Sequence, residues 1–356
     1  MQAKKFLIFV FSCFVFIAGG VGAVNYVVDP LWTFSHSNNL NNIQKGFDER
    51  QQKTNYTTYE NLENYDGILL GSSRTTFIAE NNFVNMNIYN YASSSMFPYE
   101  YKGYIDYFKQ KINKPLKYII IGSDFFGTNT PNFKQIKFEQ PSFYIENSNE
   151  YFYRYKSLFS IDTLKFSLTN VKNSFFGAEQ YYDRRNIKYH IKVSENERLQ
   201  RYTKNLVRHT NDLCGEKYVW NNDFIKIHET IKKENQTSNF VIFTSPVTAD
   251  LLVSIIKNAK RWQEYEKWLR ELVNVFGEVH HFMTINSVTK NLDNYPDDDH
   301  YYPHVAKLLA HKISGAVNSD IPKDFGILVT KENIDKHLKN LRQQIQAYDL
   351  NTTLKN

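Results

Sequence analysis

Short, uninterrupted hydrophobic runs recur along the chain, and longer segments with helical spacing of apolar residues separate them. Runs of this length without polar alternation are typical of strands buried on both faces of a parallel sheet. The predicted strands cover residues 67–70, 86–91, 117–122, 240–244 and 279–283. The predicted helices cover residues 99–112, 251–276 and 303–313. The pattern therefore predicts an α/β fold, a three-layer α/β/α sandwich around a central parallel sheet.

The longest apolar run lies at the amino terminus, where residues 6–24 contain no charged side chain and follow Lys4 and Lys5. Its nineteen residues are enough to span a bilayer as a helix. Because a positive flank stays in the cytoplasm, we expect a single-pass protein of a bacterial inner membrane with its main domain on the periplasmic or extracellular side. A cleaved signal peptide is the alternative, since Gly22 and Ala23 end the run. The run exceeds the usual apolar core of about 7–15 residues, which favours a retained anchor.

The chain divides by composition into four parts. Residues 1–28 are predicted to form the anchor and residues 29–65 a juxtamembrane connector, whose polar part (residues 38–65) is expected to be a tether with one possible helix. Residues 66–320 hold the α/β domain, and residues 127–235 are an insertion in it, rich in Tyr, Phe and Asn. Residues 321–356 contain an amphipathic helix at 333–346 and a tail. The aromatic tract at residues 151–155 is expected to be buried, with stacking on sugar rings as the alternative.

Composition excludes several classes of protein. The 356 residues are 42% hydrophobic and 22% charged, which is typical of a folded chain. A mean hydropathy of −0.53 is incompatible with a polytopic membrane protein. The net charge of +6 is modest and its basic residues are scattered, so no nucleic-acid partner is expected. Two cysteines, Cys13 and Cys214, give no disulfide framework and no cysteine-based zinc site.

Polar residues follow several of the predicted strands, at the sheet edge where α/β proteins bind ligands. Gly71, Ser72 and Ser73 follow the first strand, residues 90–95 continue the second, and residues 122–124 end the third. A late loop, residues 297–300, supplies three aspartates and a histidine just before a predicted helix. A serine on a strand-to-helix turn, with a histidine and an aspartate from another loop, is the residue set of an acyl-transfer site.

These blocks resemble those of the SGNH or GDSL-type hydrolases and acyltransferases. The resemblance implies that Ser73 is the nucleophile and that Asp297 and His300 form the terminal Asp-x-x-His block. Within that superfamily the chain is most similar to single-span exported accessory proteins of D-alanylation and alginate O-acetylation, which work beside a membrane-bound O-acyltransferase. The finer similarity depends on the anchor and a few short blocks: Asp29-Pro30, Arg50 with Lys53, Gly71-Ser72-Ser73, residues 122–126, and Asp297-x-x-His300-Tyr301.

The chain departs from the family pattern at two blocks. Ser95 stands where the family has a glycine whose N–H enters the oxyanion hole, and its backbone N–H can serve the same purpose. Asp124 stands where the family has an asparagine that donates to the oxyanion. Because an ionised carboxylate would repel the developing charge, Asp124 must be protonated, turned away or employed differently.

The resemblance implies an exported serine acyltransferase or esterase that acts on acyl groups, acetyl being the expected one, of cell-surface polysaccharide through an acyl-serine. No cofactor is expected, and the partners are the polysaccharide, the membrane and a membrane-bound O-acyltransferase. The competing hypothesis is a non-catalytic module that binds glycan or docks the acyltransferase.

Rival interpretations attach to the same residues. Ser72 is the alternative nucleophile, which the block register disfavours. The run of aspartates suits a hard cation, and His300 with His304 suits zinc, although no metal site is expected. Asp298 and Asp299 are expected to form a solvated face of the loop.

Overall fold

The computed structural model describes residues 2–130, 138–317 and 320–350, which fall into two compact units. The first unit comprises Met1–Leu62 and Glu139–Ile191, and the second comprises Glu63–Phe138 and Lys192–Asn356. These units divide the chain at other places than the predicted boundary at residue 65 and the predicted insertion at residues 127–235. Most of the predicted connector and the middle of the predicted insertion belong to one unit, because they pack on each other.

A six-stranded sheet forms the centre of the second unit, with helices on both sides. Its order is β2-β1-β3-β6-β7-β8, where the strands are β1 (Gly67–Leu70), β2 (Ile88–Asn90), β3 (Tyr118–Ser123), β6 (Asn239–Thr244), β7 (Glu278–His281) and β8 (Ile327–Thr330). Neighbouring strands are parallel from β2 to β7. This confirms a mixed α/β fold with a mostly parallel sheet. Only the edge strand β8, which pairs antiparallel with β7, was not predicted.

The helices of the second unit connect and flank these strands. They are Pro98–Ile112, Glu195–Arg208, Phe224–Glu234, Ala249–Lys257, Trp262–Phe276, Pro303–Ile313 and Ile334–Ala347. The single helix predicted over residues 251–276 is two helices, because the chain turns at Lys260, whose φ is +61°. The helix expected at residues 333–346 is present, and its apolar side chains Leu338 and Leu341 are buried.

The strand order places a crevice at the ends of β1 and β3. After β1 the chain continues to β2 on one side of the pair, and after β3 the next strand of the sheet is β6 on the other side. Because the segments that follow β1 and β3 lead in opposite directions, the carboxyl ends of these two strands leave an open space between them. The turns that follow both strands carry the polar blocks found in the sequence.

The first unit contains the amino-terminal helix Gln2–Val28. Among the residues that the structure describes, it is the helix long and apolar enough to cross a membrane. Its last turn packs within the unit: the Asn25 side chain donates to the carbonyl oxygens of Leu158 and Ser160 at 2.7 and 3.1 Å.

The rest of the first unit is small. It contains the helices Glu49–Tyr59, Pro141–Asn149, Tyr153–Leu158 and Ile161–Phe176, and a hairpin of β4 (Gln180–Tyr182) and β5 (Lys188–His190). The possible helix expected in the tether is present as Glu49–Tyr59. It is part of the folded unit rather than of a tether, since Arg50 and Lys53 are each only 1% exposed. Asp29 is also buried, and the Arg184 guanidinium lies 2.7 Å from its carboxylate.

Candidate active site

Strand β1 ends in a tight turn that exposes Ser73. Gly71 begins this turn with φ +152°, and a Cβ at that position would collide with the side chain of Thr75. The Ser72 carbonyl accepts hydrogen bonds from the N–H groups of Thr75 and Thr76 at 3.0 and 3.3 Å. The chain thus passes directly from the strand into the short 3-10 helix Thr75–Phe77. A glycine is required here by the close approach of Thr75.

The turn brings Ser73 to the histidine of the late loop. Ser73 Oγ lies 2.8 Å from Nε2 of His300, and Nδ1 of His300 lies 2.9 Å from Oδ2 of Asp297. The two segments are 227 residues apart in the chain. The structure therefore brings together the three residues that the sequence predicted as nucleophile, base and orienting carboxylate. Their order and distances are those of a serine nucleophile activated by a hydrogen-bonded imidazole.

The geometry of Asp297 explains the Asp-x-x-His spacing. Its Oδ1 accepts the backbone N–H groups of Asp299 and His300 at 3.0 and 2.7 Å, while its Oδ2 contacts the imidazole. One carboxylate thus fixes the turn of the backbone and the orientation of the ring that the turn carries. An aspartate three residues before the histidine is the spacing at which a single short side chain reaches both.

The loop that follows β6 holds the late loop, residues 297–300, in place through hydrogen bonds from Thr248. Thr248 donates its backbone N–H and its hydroxyl to the carbonyl oxygen of Asp298, at 3.1 and 2.9 Å. The Thr248 side chain also caps the helix Ala249–Lys257 by accepting from the N–H of Leu251. The residue that caps this helix therefore also holds the loop that carries the predicted base, His300.

Asp298 and Asp299 do not form a solvated face of the loop, which corrects the expectation from the sequence. Asp298 is 0% and Asp299 is 5% exposed. Asp298 Oδ2 lies 2.6 Å from Nδ1 of His209, and Asp299 Oδ2 lies 2.7 Å from Nη2 of Arg74. The run of aspartates is buried because each carboxylate has a cationic or hydrogen-bonding partner.

Arg74 and His209 are site residues that sequence reasoning missed. Arg74 follows the predicted nucleophile directly, and its guanidinium contacts both Asp299 and Asp124, the latter at 3.2 Å. That adjacency was visible in the sequence, although no spacing rule indicated a role. His209 lies in the predicted insertion, far from every strand end, and no sequence signal pointed to it.

The charges around His300 alter its protonation. Burial disfavours the imidazolium, but the carboxylates of Asp299 and Asp297 outweigh burial and raise the pKa of His300 well above 6.5. The pKa of Asp299 is lowered well below its usual range, since His300, His209 and Arg74 together overcome the effect of burial on its carboxylate. Asp298 behaves in the opposite way, because its burial raises its pKa to about 6 despite the hydrogen bond from His209.

Asp124 has a structural contact rather than an open position beside Ser73. Its carboxylate accepts a short hydrogen bond from the Ser72 hydroxyl and pairs with the Arg74 guanidinium. Of the alternatives that the sequence left open for Asp124, the contacts favour a side chain that has another use than facing the oxyanion. The same bond uses the hydroxyl of Ser72, which is 2% exposed, so Ser72 is placed poorly for a nucleophile.

Ser95 lines a pocket of about 370 Å³ together with Ser73 and His300. Its φ is +51°, in the left-handed region that favours glycine. This conformation costs a residue with a Cβ about 1–2 kcal/mol. The pocket is also lined by residues from the helix Glu195–Arg208 and the segment after it, among them Asn205, Arg208 and His209.

Two groups of side chains have the spacing of a cation site. They are His209 with Asp298 and Asp299, and Asp297 with Asp299 and His300. His304 belongs to neither group, and its Nε2 lies 2.9 Å from the Asn294 side chain instead. In both groups Asp299 takes part, and the guanidinium of Arg74 already lies on its carboxylate. A fixed positive charge at this point disfavours a divalent ion.

A comparison with protein-family models finds none that matches this chain, and a comparison with curated proteins likewise finds no match.

Proposed function

We propose that this chain is a membrane-anchored serine acyltransferase or esterase of the SGNH type, with Ser73 as nucleophile, His300 as base and Asp297 as orienting residue. The observation that carries the proposal is the continuous line of contacts from Ser73 Oγ through His300 to Asp297 at 2.8 and 2.9 Å. The pocket in front of Ser73 gives a substrate access to this line.

The proposed reaction has two steps. Ser73 Oγ attacks the acyl carbonyl while its proton passes to Nε2 of His300. Backbone N–H groups of Ser73 and Ser95 stabilise the oxyanion of the tetrahedral intermediate. The alcohol of the donor leaves with the proton from His300, and an acyl-serine remains. A sugar hydroxyl or water then attacks the acyl-serine, gives its proton to His300, and regenerates Ser73.

We further propose that the acyl acceptor or substrate is cell-surface polysaccharide, and that the domain lies on the periplasmic or extracellular side. A single apolar helix cannot carry an acyl group across a bilayer, so the proposed donor is a membrane-bound O-acyltransferase. The packing of Asn25 and Val28 within the first unit supports a retained anchor, because the end of the helix Gln2–Val28 is part of the folded unit.

The competing function is a non-catalytic module that binds glycan or docks the acyltransferase. It is favoured by Asp124, because a carboxylate that contacts Ser72 and Arg74 stands where the resemblance leads us to expect an amide donor to the oxyanion. The alignment of Ser73 with His300 favours catalysis, because a binding module has no need of an imidazole on a serine hydroxyl.

A fluorophosphonate probe distinguishes the two functions. An activated Ser73 displaces fluoride from phosphorus and becomes covalently labelled, with its proton passing to His300. We expect labelling of the full chain in detergent, loss of labelling in Ser73→Ala and retention in Ser72→Ala, with folding of both variants checked by circular dichroism. Absence of labelling in a folded wild-type chain would favour the binding module.

An acylation assay tests the proposed donor. Full-length protein is reconstituted in vesicles with and without the acyltransferase. Acetyl-CoA is supplied on the side of the bilayer opposite to Ser73. Acetylation of added glycan is expected only when both proteins are present. Efficient transfer by this chain alone would contradict the proposal that the acyltransferase delivers the acyl group. Efficient removal of existing acetyl groups would assign the chain as a deacetylase.

A further inference from the structure

A phenylalanine of the first unit lies against the last turns of the apolar helix. A Cβ built on Gly22 would lie 3.1 Å from the ring of Phe159, so the ring contacts the helix at that residue. Gly22 precedes Asn25, the first polar residue after the apolar stretch, by three positions, or about 4.5 Å along a helix. If the helix crosses a bilayer, Phe159 therefore lies at the depth where the hydrocarbon ends.

Phe159 belongs to a group of exposed apolar side chains on one segment of the first unit, which we call the aromatic platform. Its members lie between residues 151 and 176 and each exposes more than half of its surface: Tyr151, Phe152, Tyr155, Phe159, Ile161, Leu168, Phe175 and Phe176. This corrects the expectation that the tract at residues 151–155 is buried. A concentration of exposed apolar side chains on one segment is typical of an interaction site.

The helix Ile161–Phe176 presents its platform residues on one face. Ile161, Leu168 and Phe175 recur at seven-residue intervals, which aligns them along the helix. The opposite face is buried: Ser167 donates to the Asn25 side chain at 2.8 Å, and Asn170 donates to Gln44 at 2.7 Å. Polar contacts thus bind the helix to the end of the apolar helix and to the segment after it, while apolar residues point away.

We propose that the aromatic platform lies in the headgroup region of the same bilayer that the helix Gln2–Val28 spans. Three observations favour a lipid surface over a protein. Phe159, a member of the platform, contacts the proposed spanning helix at Gly22. It is rich in aromatic residues, which concentrate at membrane interfaces. Lys165 and Lys172 lie beside the apolar stripe of its helix, as in helices that rest on anionic lipid.

The proposal rests on the retained anchor of the proposed function and is independent of the chemistry at Ser73. A platform in the headgroup region would fix the first unit against the membrane at a second place besides the helix. The protein would then be held by two contacts with lipid rather than by a flexible stalk.

Depth-dependent fluorescence quenching tests the platform in the full chain. Single cysteines are introduced at Leu168 and Phe175 in a Cys13→Ser, Cys214→Ala background and labelled with an environment-sensitive dye. The proteins are placed in phosphatidylcholine nanodiscs whose lipids carry a quencher either near the headgroup or near the chain end. Glu146→Cys is the matched control, because Glu146 is an exposed residue of the same unit that lies on another helix and is not a member of the platform.

We expect the headgroup quencher to remove most of the fluorescence at Leu168 and Phe175, the chain-end quencher to remove less, and the dye at residue 146 to keep most of its signal with both. Equal quenching at Leu168 and Glu146, or none at either, would overturn the proposal. The native Cys13, labelled in the Cys214→Ala chain, reports on the anchor separately. Quenching at Cys13 without quenching at Leu168 would reject the platform alone and leave a protein partner as its occupant, whereas no quenching at Cys13 would reject the anchor and with it the platform.

Discussion

Asp299 Oδ1 lies 3.0 Å from Nδ1 of His300, so the imidazole faces a second carboxylate besides Asp297. Two negative charges at one nitrogen stabilise the imidazolium, and the pKa of His300 is raised well above 6.5 although burial opposes it. The proposed base must be neutral to accept the proton of Ser73. The structure therefore favours a site that gains activity as the pH rises.

The first prediction concerns this pH dependence. Esterase activity should rise with pH through the pKa of His300, with its half-maximum well above pH 6.5. Asp299→Asn removes one of the two negative charges and should move the half-maximum to lower pH by about one to two units. The measurement is kcat/KM for an activated ester across the pH range in both proteins.

Asp293→Asn is the control for the first prediction. Asp293 is an exposed aspartate shortly before the same loop in the sequence, and it pairs with Arg198. Its profile should coincide with that of the wild type. An Asp299→Asn profile that also coincides with the wild type would show that His300 is not the titrating base.

The elements that the sequence predicted best are those in which local pattern and final environment agree. The first predicted strand, residues 67–70, coincides with β1. Its side chains Ile68, Leu69 and Leu70 are fully buried in the sheet, as their uninterrupted apolar run predicts. The helix at residues 303–313 also coincides, since Pro303 fixes its first turn. The edge strand β8 was not predicted, because Ile327 and Leu328 are partly exposed and lie outside the main pattern.

The sequence predicts those residues of the candidate site whose positions follow from local geometry, and not their partners from distant segments. Ser73, Asp297 and His300 lie in short blocks whose spacing reflects local geometry, as the contacts of Asp297 show. The partners of Asp298 and Asp299 come from distant segments. Their burial depends on Arg74 and His209, and no local pattern records such a pairing.

The second prediction concerns Asp124. Asp124→Asn removes the charge that faces Arg74, while Asp299 continues to pair with the guanidinium. We expect the free energy of unfolding to fall by about 1–3 kcal/mol, since a buried charged group loses part of its compensation. Esterase activity should fall rather than rise, because Ser72 and Arg74 hold the turn that carries Ser73.

Chemical denaturation and ester hydrolysis measure both effects. Asp106→Asn is the control, because Asp106 is an exposed partner of Lys102 and should leave stability and activity unchanged. A rise in activity with Asp124→Asn would show that residue 124 reaches the oxyanion and that the amide is the better donor.

The third prediction concerns metals. A chelator should leave activity and stability unchanged, because Arg74 supplies the positive charge that neutralises Asp299 and both nitrogens of His300 already have partners. The assay is ester hydrolysis after dialysis against EDTA. Lost activity that returns on addition of zinc or magnesium would assign the aspartate-rich loop as a cation site instead.

The last prediction concerns Ser95, whose φ of +51° lies in the left-handed region that favours glycine. Ser95→Gly relieves the strain of a Cβ in the left-handed region, and the flexibility of glycine in the unfolded chain offsets part of this gain. We expect a net increase in the free energy of unfolding of up to about 1 kcal/mol. Activity should change little, because the variant keeps the backbone N–H that the proposed oxyanion hole uses. Ser95→Ala is the matched control: it also keeps the N–H but retains the strain, so its activity should be similar and its stability should not rise. If both variants lost activity while remaining folded, the hydroxyl of Ser95 rather than its N–H would be the group that acts on the substrate.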